Sequence, residues 1–218
     1  MFPLYDENPT RITPYVTYGL IGMNVLVFLH EFSLSSTQLE QFFQQYALVA
    51  QQLTTNFAGE WPTLLTSQFL HGGLRHLIPN MLFLWIFGNN VEDRLDHLKY
   101  LIFYLICGAL AALCQWFVNM NYEIPYLGSS GAIFGVVAAY IIAFPQSSPQ
   151  SRILTFIEVA ALILIGLSFI QYVISGITSL QTAANMSVET GGVVYWAHIG
   201  GFVFGLILAP LFGLRRRD

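Results

Sequence analysis

The chain has 218 residues, of which 55% are hydrophobic and only 9% charged, with a net charge of −4 and a mean hydropathy of +0.60. A water-soluble domain carries about 25% charged residues, so this composition excludes a soluble globular protein and offers no basic surface for nucleic acid. It suits lipid as the outer solvent, where a hydrocarbon core about 30 Å thick takes roughly 20 apolar residues per helix.

In chain order, apolar stretches able to span a bilayer lie at 15–32, 66–88, 98–118, 126–144, 153–175 and 192–213. Breaks fall at Ser33–Thr37, Gly88–Asp96, Asn119–Pro125, Pro145–Arg152 and Gly176–Gly191. The fourth stretch opens with Gly128-Ser129-Ser130-Gly131, which is ill-suited to face lipid. The first fourteen residues are polar and no small-residue cleavage site follows the first apolar stretch, so that stretch is expected to be a retained span. No internal repeat or low-complexity tract occurs, and a single membrane domain over 1–218 is expected.

Positive charge orients such a bundle, because cytoplasmic loops retain Lys and Arg. With six spans, Arg11, Arg94, Lys99, Arg152 and Arg215, Arg216 and Arg217 all fall on one side, and Arg75 alone lies near the other. Both termini are therefore expected in the cytoplasm of a cell membrane. On the opposite side, the loop at about 33–65 mixes Gln with Phe42, Phe43, Tyr46, Phe57 and Trp61, a pattern suited to the headgroup layer. The loop at about 176–191 is polar and rich in small residues, as a mobile cap would be. Cys107 and Cys114 lie seven apart on one predicted helix, about 10 Å at ~1.5 Å per residue, too far for a disulfide.

Polar groups inside hydrocarbon are costly, so they point to function. The second span carries His71, His76 and Asn80, the last two on one helix face. The fourth opens with Gly128-Ser129-Ser130-Gly131 and continues to Phe134-Gly135, and the sixth contains Ala197-His198 with Gly201 and Gly205. These three spans enter from the same side, and the spacing puts Ser130 about one turn inside its span, level with His76 and His198. A serine hydroxyl needs a base to become a nucleophile, and His is the usual one. Donors for a developing oxyanion could come from Asn80, His76 and the Ser130 N–H. Gly128 and Gly131 permit tight backbone around the serine. Gly131 and Gly135, facing Gly201 and Gly205, form small-xxx-small faces that let two helices approach closely. No carboxylate lies in the sixth span, the nearest being Glu189 in the loop, so a Ser–His dyad is expected. Phe134 could stack on the imidazole or simply pack the core, and His71 could support the first loop or touch the chemistry; it is left outside the catalytic set.

These motifs resemble those of the rhomboid proteases. Gly128-Ser129-Ser130-Gly131 matches a GxSG pattern, Ala197-His198 with Gly201 and Gly205 matches AHxxGxxxG, and His71, His76 and Asn80 match HxxxxHxxxN, in the same order along essentially the whole chain. The resemblance implies an all-α membrane protein, a six-helix rhomboid bundle with the serine-bearing fourth helix at its centre. It implies cleavage of membrane-anchored proteins within or beside their transmembrane helix, without metal or cofactor. Ser130 would be nucleophile and His198 base, with His76, Asn80 and Ser130 forming the oxyanion hole and Gly128, Gly131, Phe134, Gly201 and Gly205 supporting them. Its partners would be transmembrane substrates and the lipid bilayer, with the site opening to the non-cytoplasmic side and the fifth span and cap loop gating entry. Trp61 is followed by Pro62 where the family commonly has Arg, and Pro79 precedes Asn80, which puts the loop's anchoring and the straightness of the second span in question.

Other classes fit less well. A zinc protease using His71, His76 and His198 would need a carboxylate base beside them, and no HExxH occurs. A channel or transporter would show paired repeats. A catalytically inactive relative that binds transmembrane helices would ordinarily have lost the serine or the histidine, and both are kept here. Asn24, His30, His97, Glu158 and Gln171 suggest no particular role.

Overall fold

The computed structural model describes residues 11–144, helical positions between 163 and 174, and residues 195–214. Among these the architecture is all-helical. The long elements are α1 (Tyr15–Ser33), α6 (Leu74–Leu95), α7 (His97–Val118), α8 (Ser130–Ala143) and α9 (Tyr195–Leu211). Between α1 and α6 lie the short helices α2 (Ser36–Tyr46), α3 (Ala50–Thr55), α4 (Phe57–Glu60) and α5 (Thr63–Thr66), then a 3-10 turn at Ser67–Phe69. The expected break at 145–152 with Arg152, most of the fifth stretch with Glu158, the loop at 176–191 with Glu189, and Arg215–Arg217 lie outside the described residues.

The centre of the bundle is α8, in which twelve of 14 residues are buried. Its sequence is apolar on every face, as a helix surrounded by other helices requires. It packs on α6, α7 and α9. Small residues set the spacing. Gly135 lies under Cys107, whose Sγ would be 2.8 Å from an added Cβ, and Gly131 lies under Ala111 at 2.7 Å. Cys114 covers Gly200 of α9 in the same way, at 2.7 Å. Both cysteines are free thiols and serve as spacers in this seam.

Several boundaries differ from those the apolar pattern predicts. The second helix does not stop at Gly88; it runs on to Leu95 and meets α7 through Asp96 alone, at φ 65°. Gly88 is a packing residue, since a Cβ there would come within 2.7 Å of the Tyr100 hydroxyl and 3.1 Å of Thr17. The same helix starts at Leu74, because residues 66–73 are spent on the end of α5, the 3-10 turn and a bend at Gly72-Gly73. Pro79 sits within the unbroken run of α6 and removes one hydrogen bond, the one its N–H would have given to the Arg75 carbonyl. The fourth helix opens at Ser130, four residues later than the apolar run, because Gly128 adopts φ 121° and its N–H bonds to the Ser67 carbonyl at 2.8 Å.

Helix ends explain much of the rest. The first N–H groups of α1 have no intrahelical acceptors, and the buried Glu92 carboxylate of α6 supplies them. Its Oε1 accepts from Val16 N–H (2.9 Å) and lies 2.6 Å from His97 Nδ1, while its Oε2 accepts from Thr17 N–H (2.8 Å) and Thr17 Oγ1 (2.7 Å). A carboxylate also complements the positive end of the helix dipole. At the far end of α9, Gly213 (φ 88°) closes a Schellman cap, with Leu214 N–H on the Ala209 carbonyl and Gly213 N–H on that of Pro210, both 3.0 Å. In the first loop, Ser35 and Gln38 form a capping box for α2, and Pro62 precedes α5 with helical backbone angles and no side-chain cap. Leu48 pairs with Tyr126 in an isolated antiparallel bridge that ties this loop to the approach to α8.

The outside of the bundle is apolar. Met23, Leu26, Leu29 and Phe32 of α1, Ile78, Leu82 and Trp85 of α6, and Val203, Leu206 and Ile207 of α9 are exposed. Contiguous apolar surface on this scale marks a lipid or protein contact. By length and composition α1 and α7 can each cross a bilayer; α8 and α9 are apolar but shorter.

Candidate active site

The site lies where α8 begins. Ser130 is the first residue of α8, and His198 lies in the first turn of α9 as described. Gly201 of α9 rests on the backbone of Gly131, and Gly205 rests on that of Gly135: an added Cβ at 201 would contact the Gly131 carbonyl, and one at 205 would come within 2.6 Å of the Gly135 Cα. Two helices cross backbone to backbone only where side chains are absent. Because Ser130 adjoins Gly131 and His198 is one turn before Gly201, this crossing brings Ser130 Oγ to 2.6 Å from His198 Nε2. Both residues are buried. The ring of Phe134, one turn along α8, has its centroid 4.9 Å from that of His198 at an interplanar angle of 36°.

Beside this pair lies a second polar group, from α6 and the segment before it. Asn80 is buried, and its Nδ2 is 3.2 Å from His71 Nε2. The same ring nitrogen is 3.3 Å from Ser129 Oγ. The rings of His71 and His76 meet edge to face with centroids 5.0 Å apart. His76 in turn lies against the backbone entering α8: a Cβ on Gly128 would be 2.6 Å from its Cε1 and 2.8 Å from its Nε2. Gly128 is thus fixed twice, by φ 121° and by the imidazole over it. Among the described residues no group of three or more His, Cys, Asp or Glu side chains surrounds a point that a metal ion could take.

The family model for the rhomboid domain matches residues 58–215, which contain Ser130, His198, His71, His76 and Asn80. The chain belongs to the rhomboid family. Rhomboid proteins reside in membranes, and relatives span bacteria and organelles. The rhomboid protease GluP of Bacillus subtilis is 32% identical over 208 residues, 92% of this chain and 35% of that protein. The mitochondrial rhomboid protein 1 of Saccharomyces cerevisiae is 29% identical over 215 residues, 94% of this chain and 54% of that protein. The putative rhomboid protease YdcA of Bacillus subtilis is 28% identical over 153 residues, covering 70% of this chain and 68% of its own length. This rhomboid chain therefore spans only about a third to a half of the first two relatives.

The structure brings Ser130, His198, Phe134, His76, Asn80 and the four glycines Gly128, Gly131, Gly201 and Gly205 into one region, and one expectation needs correction. Ser130 is not a turn inside its helix but its first residue, because the Gly128 backbone conformation delays the helix. Two participants escape motif reasoning. Glu31 of α1 is buried and accepts the His71 N–H through both carboxylate oxygens, at 3.2 and 3.3 Å. The signal for it was present, since a lone carboxylate at the end of an apolar stretch is itself a functional pointer. Ser129, the neighbour of Ser130, is buried against His71, and nothing in its spacing distinguishes it from a helix-start serine. His97 and Asn24 are structural: His97 meets Glu92, and Asn24 Nδ2 donates to the Leu20 carbonyl at 2.7 Å within its own helix. His30 packs edge-on against Phe42 of the first loop, and Gln171 is exposed.

Proposed function

We propose that this rhomboid chain is an intramembrane serine endopeptidase that cleaves membrane-anchored proteins within or near their transmembrane helix by a Ser130–His198 dyad. The carrying observation is the 2.6 Å approach of Ser130 Oγ to His198 Nε2 in a buried setting. At that separation Nε2 accepts the hydroxyl proton as Oγ attacks the scissile carbonyl, which requires the neutral imidazole with its proton on Nδ1. The imidazolium then protonates the departing amine, leaving an acyl-serine that water hydrolyses with His198 again as base. Phe134 beside the imidazole limits the planes the ring can adopt.

The oxyanion pocket is assigned to the Ser130 N–H, Asn80 and His76. As the first residue of α8, Ser130 has an N–H with no intrahelical acceptor, at the positive end of a helix dipole. Negative charge growing on the substrate oxygen is stabilised there without reorganisation. On this reading the chain is one domain with six spans, both termini are cytoplasmic, and the site opens to the other face of a cell membrane. A non-catalytic helix-binding role has no use for so short a Ser–His contact.

The test is labelling with a serine-directed fluorophosphonate, followed by mapping of the labelled peptide. Label is expected at Ser130 and lost in Ser130→Ala and in His198→Ala, with both variants inserted and folded. Cleavage of a transmembrane substrate by purified Ser130→Ala at the wild-type rate refutes the assignment.

A further inference from the structure

His71 touches two of the groups assigned to the oxyanion pocket, Asn80 and His76, and the residue before the third, without being one of them. Its Nε2 faces Asn80 Nδ2 at 3.2 Å and Ser129 Oγ at 3.3 Å, and Ser129 is the residue whose peptide carries the Ser130 N–H. Its ring meets the edge of His76 at 5.0 Å. The side chain is almost wholly buried, at 1% exposure. With the Asn80 amide as it stands, Nδ2 donates and Nε2 accepts, and the ring proton then sits on Nδ1. That tautomer and that orientation of Asn80 go together. The flipped amide would set Oδ1 against the Nε2 lone pair and lose the hydrogen bond. In this orientation one amide N–H is spent on His71 and the second remains for a ligand. Glu31 acts a step further out: its buried carboxylate holds the His71 backbone N–H and so ties α1 to the turn that presents the ring.

We propose that His71 is the positioning residue of the oxyanion pocket, anchored by Glu31, and that it works chiefly by holding the Asn80 amide with one N–H directed at the substrate oxygen. This rests on the protease reading above. It differs from simple loop support in a measurable way, because its effect must pass through Asn80.

The experiment is a double-mutant cycle on the full chain in detergent or proteoliposomes, with kcat and KM resolved for a transmembrane peptide substrate. Removing one oxyanion donor costs about 10²–10³ in kcat, so His71→Leu is expected to lower kcat by about 10²-fold with KM little changed. His71→Gln, which keeps an acceptor, is expected to recover at least about tenfold of that loss. In an Asn80→Ala background His71→Leu is expected to cost less than about tenfold, since residues acting as a unit are not additive. Equal factors in both backgrounds, or a loss confined to KM, refute the inference. If His71→Leu does not fold, the cycle is run with Glu31→Leu against Glu31→Gln, the glutamine retaining an acceptor for the His71 N–H; the leucine alone is expected to lower kcat, and only while Asn80 is present. An Asn80→Ala protein that cleaves at the wild-type rate refutes the inference and leaves the Ser–His reading standing. A wild-type protein that neither cleaves nor takes the fluorophosphonate label removes both.

Discussion

The distance between Ser130 and His198 is set by glycine, and Gly201→Ala tests this directly. A Cβ at 201 would contact the Gly131 carbonyl oxygen and lie 2.9 Å from its carbon and 3.2 Å from its Cα. All three are backbone atoms of a buried helix, so none can swing aside. Carbon atoms rest at about 3.5–4.0 Å, and α9 must therefore withdraw from α8 by about 0.5–1 Å. Carried to the dyad, that shift takes the 2.6 Å contact towards or beyond the limit of about 3.2 Å for a general base. A misplacement of about 1 Å costs on the order of 10²-fold in rate, or about 2.7 kcal/mol of transition-state stabilisation. Overpacking should also cost about 1–3 kcal/mol of stability, which must be measured apart from the chemistry. The assay is kcat on a transmembrane substrate at temperatures where unfolding in the same detergent shows the variant folded. Gly19→Ala and Gly22→Ala serve as controls, because an added Cβ meets nothing within 4 Å at either position. Wild-type kcat in folded Gly201→Ala would mean that the close crossing does not govern the dyad.

Four further outcomes are expected. Asn80→Ala should lower kcat about 10²–10³-fold without abolishing turnover, because the other donors remain; an unchanged rate in steady-state cleavage removes it from the pocket. Gly128→Ala should be at least as damaging, since φ 121° disfavours any side chain and the Cβ would press on His76 at 2.6 Å; the check is kcat together with fluorophosphonate labelling rate. Glu92→Gln should lower the unfolding temperature in detergent while sparing kcat, as it weakens charge-assisted bonds to the α1 N-terminus that are each worth about 1.5–3 kcal/mol; a kcat loss without destabilisation contradicts that role. Incubation with EDTA should leave cleavage unchanged, and an activity loss restored by added zinc would revive a metal mechanism.

The parts of this design visible in the sequence are those written as spacing. Gly131/Gly135 and Gly201/Gly205 share a one-turn pitch, and that pitch places Ser130 opposite His198. His76 and Asn80 share a face for the same reason. What spacing could not show is where a helix starts when the backbone, not hydrophobicity, decides. A largely apolar stretch spans 126–144, yet the φ of Gly128 and its bond to Ser67 postpone α8 to Ser130. Gly88 misleads in the opposite direction. It resembles a breaker but is demanded by the Tyr100 hydroxyl and Thr17 across the helix interface, a contact between residues far apart in the chain. The pairing of Glu31 with His71 was not visible either, because it lies in a side chain that reaches a backbone N–H 40 residues away.

The late start of α8 also bears on how a serine is set in a membrane helix. Its 14 residues rise about 21 Å at ~1.5 Å per residue, roughly 9 Å short of a ~30 Å hydrocarbon core. On the six-span reading the shortfall falls on the serine side, where non-helical backbone from 126 to 129 takes the helix's place. Such backbone is tolerated at membrane depth only if its polar groups are met by protein or water. Here Tyr126 N–H bonds to the Leu48 carbonyl at 2.7 Å, Gly128 N–H to that of Ser67 at 2.8 Å, and the Ser129 hydroxyl lies on His71. A longer, regular α8 would carry Ser130 into an intrahelical hydrogen-bond ladder, consume its N–H, and seal the site behind apolar side chains. Starting the helix at Ser130 leaves that N–H outside the intrahelical ladder, beside a polar group formed by His71, His76 and Asn80. The backbone turn at Gly128 therefore both delays the helix and frees the Ser130 N–H.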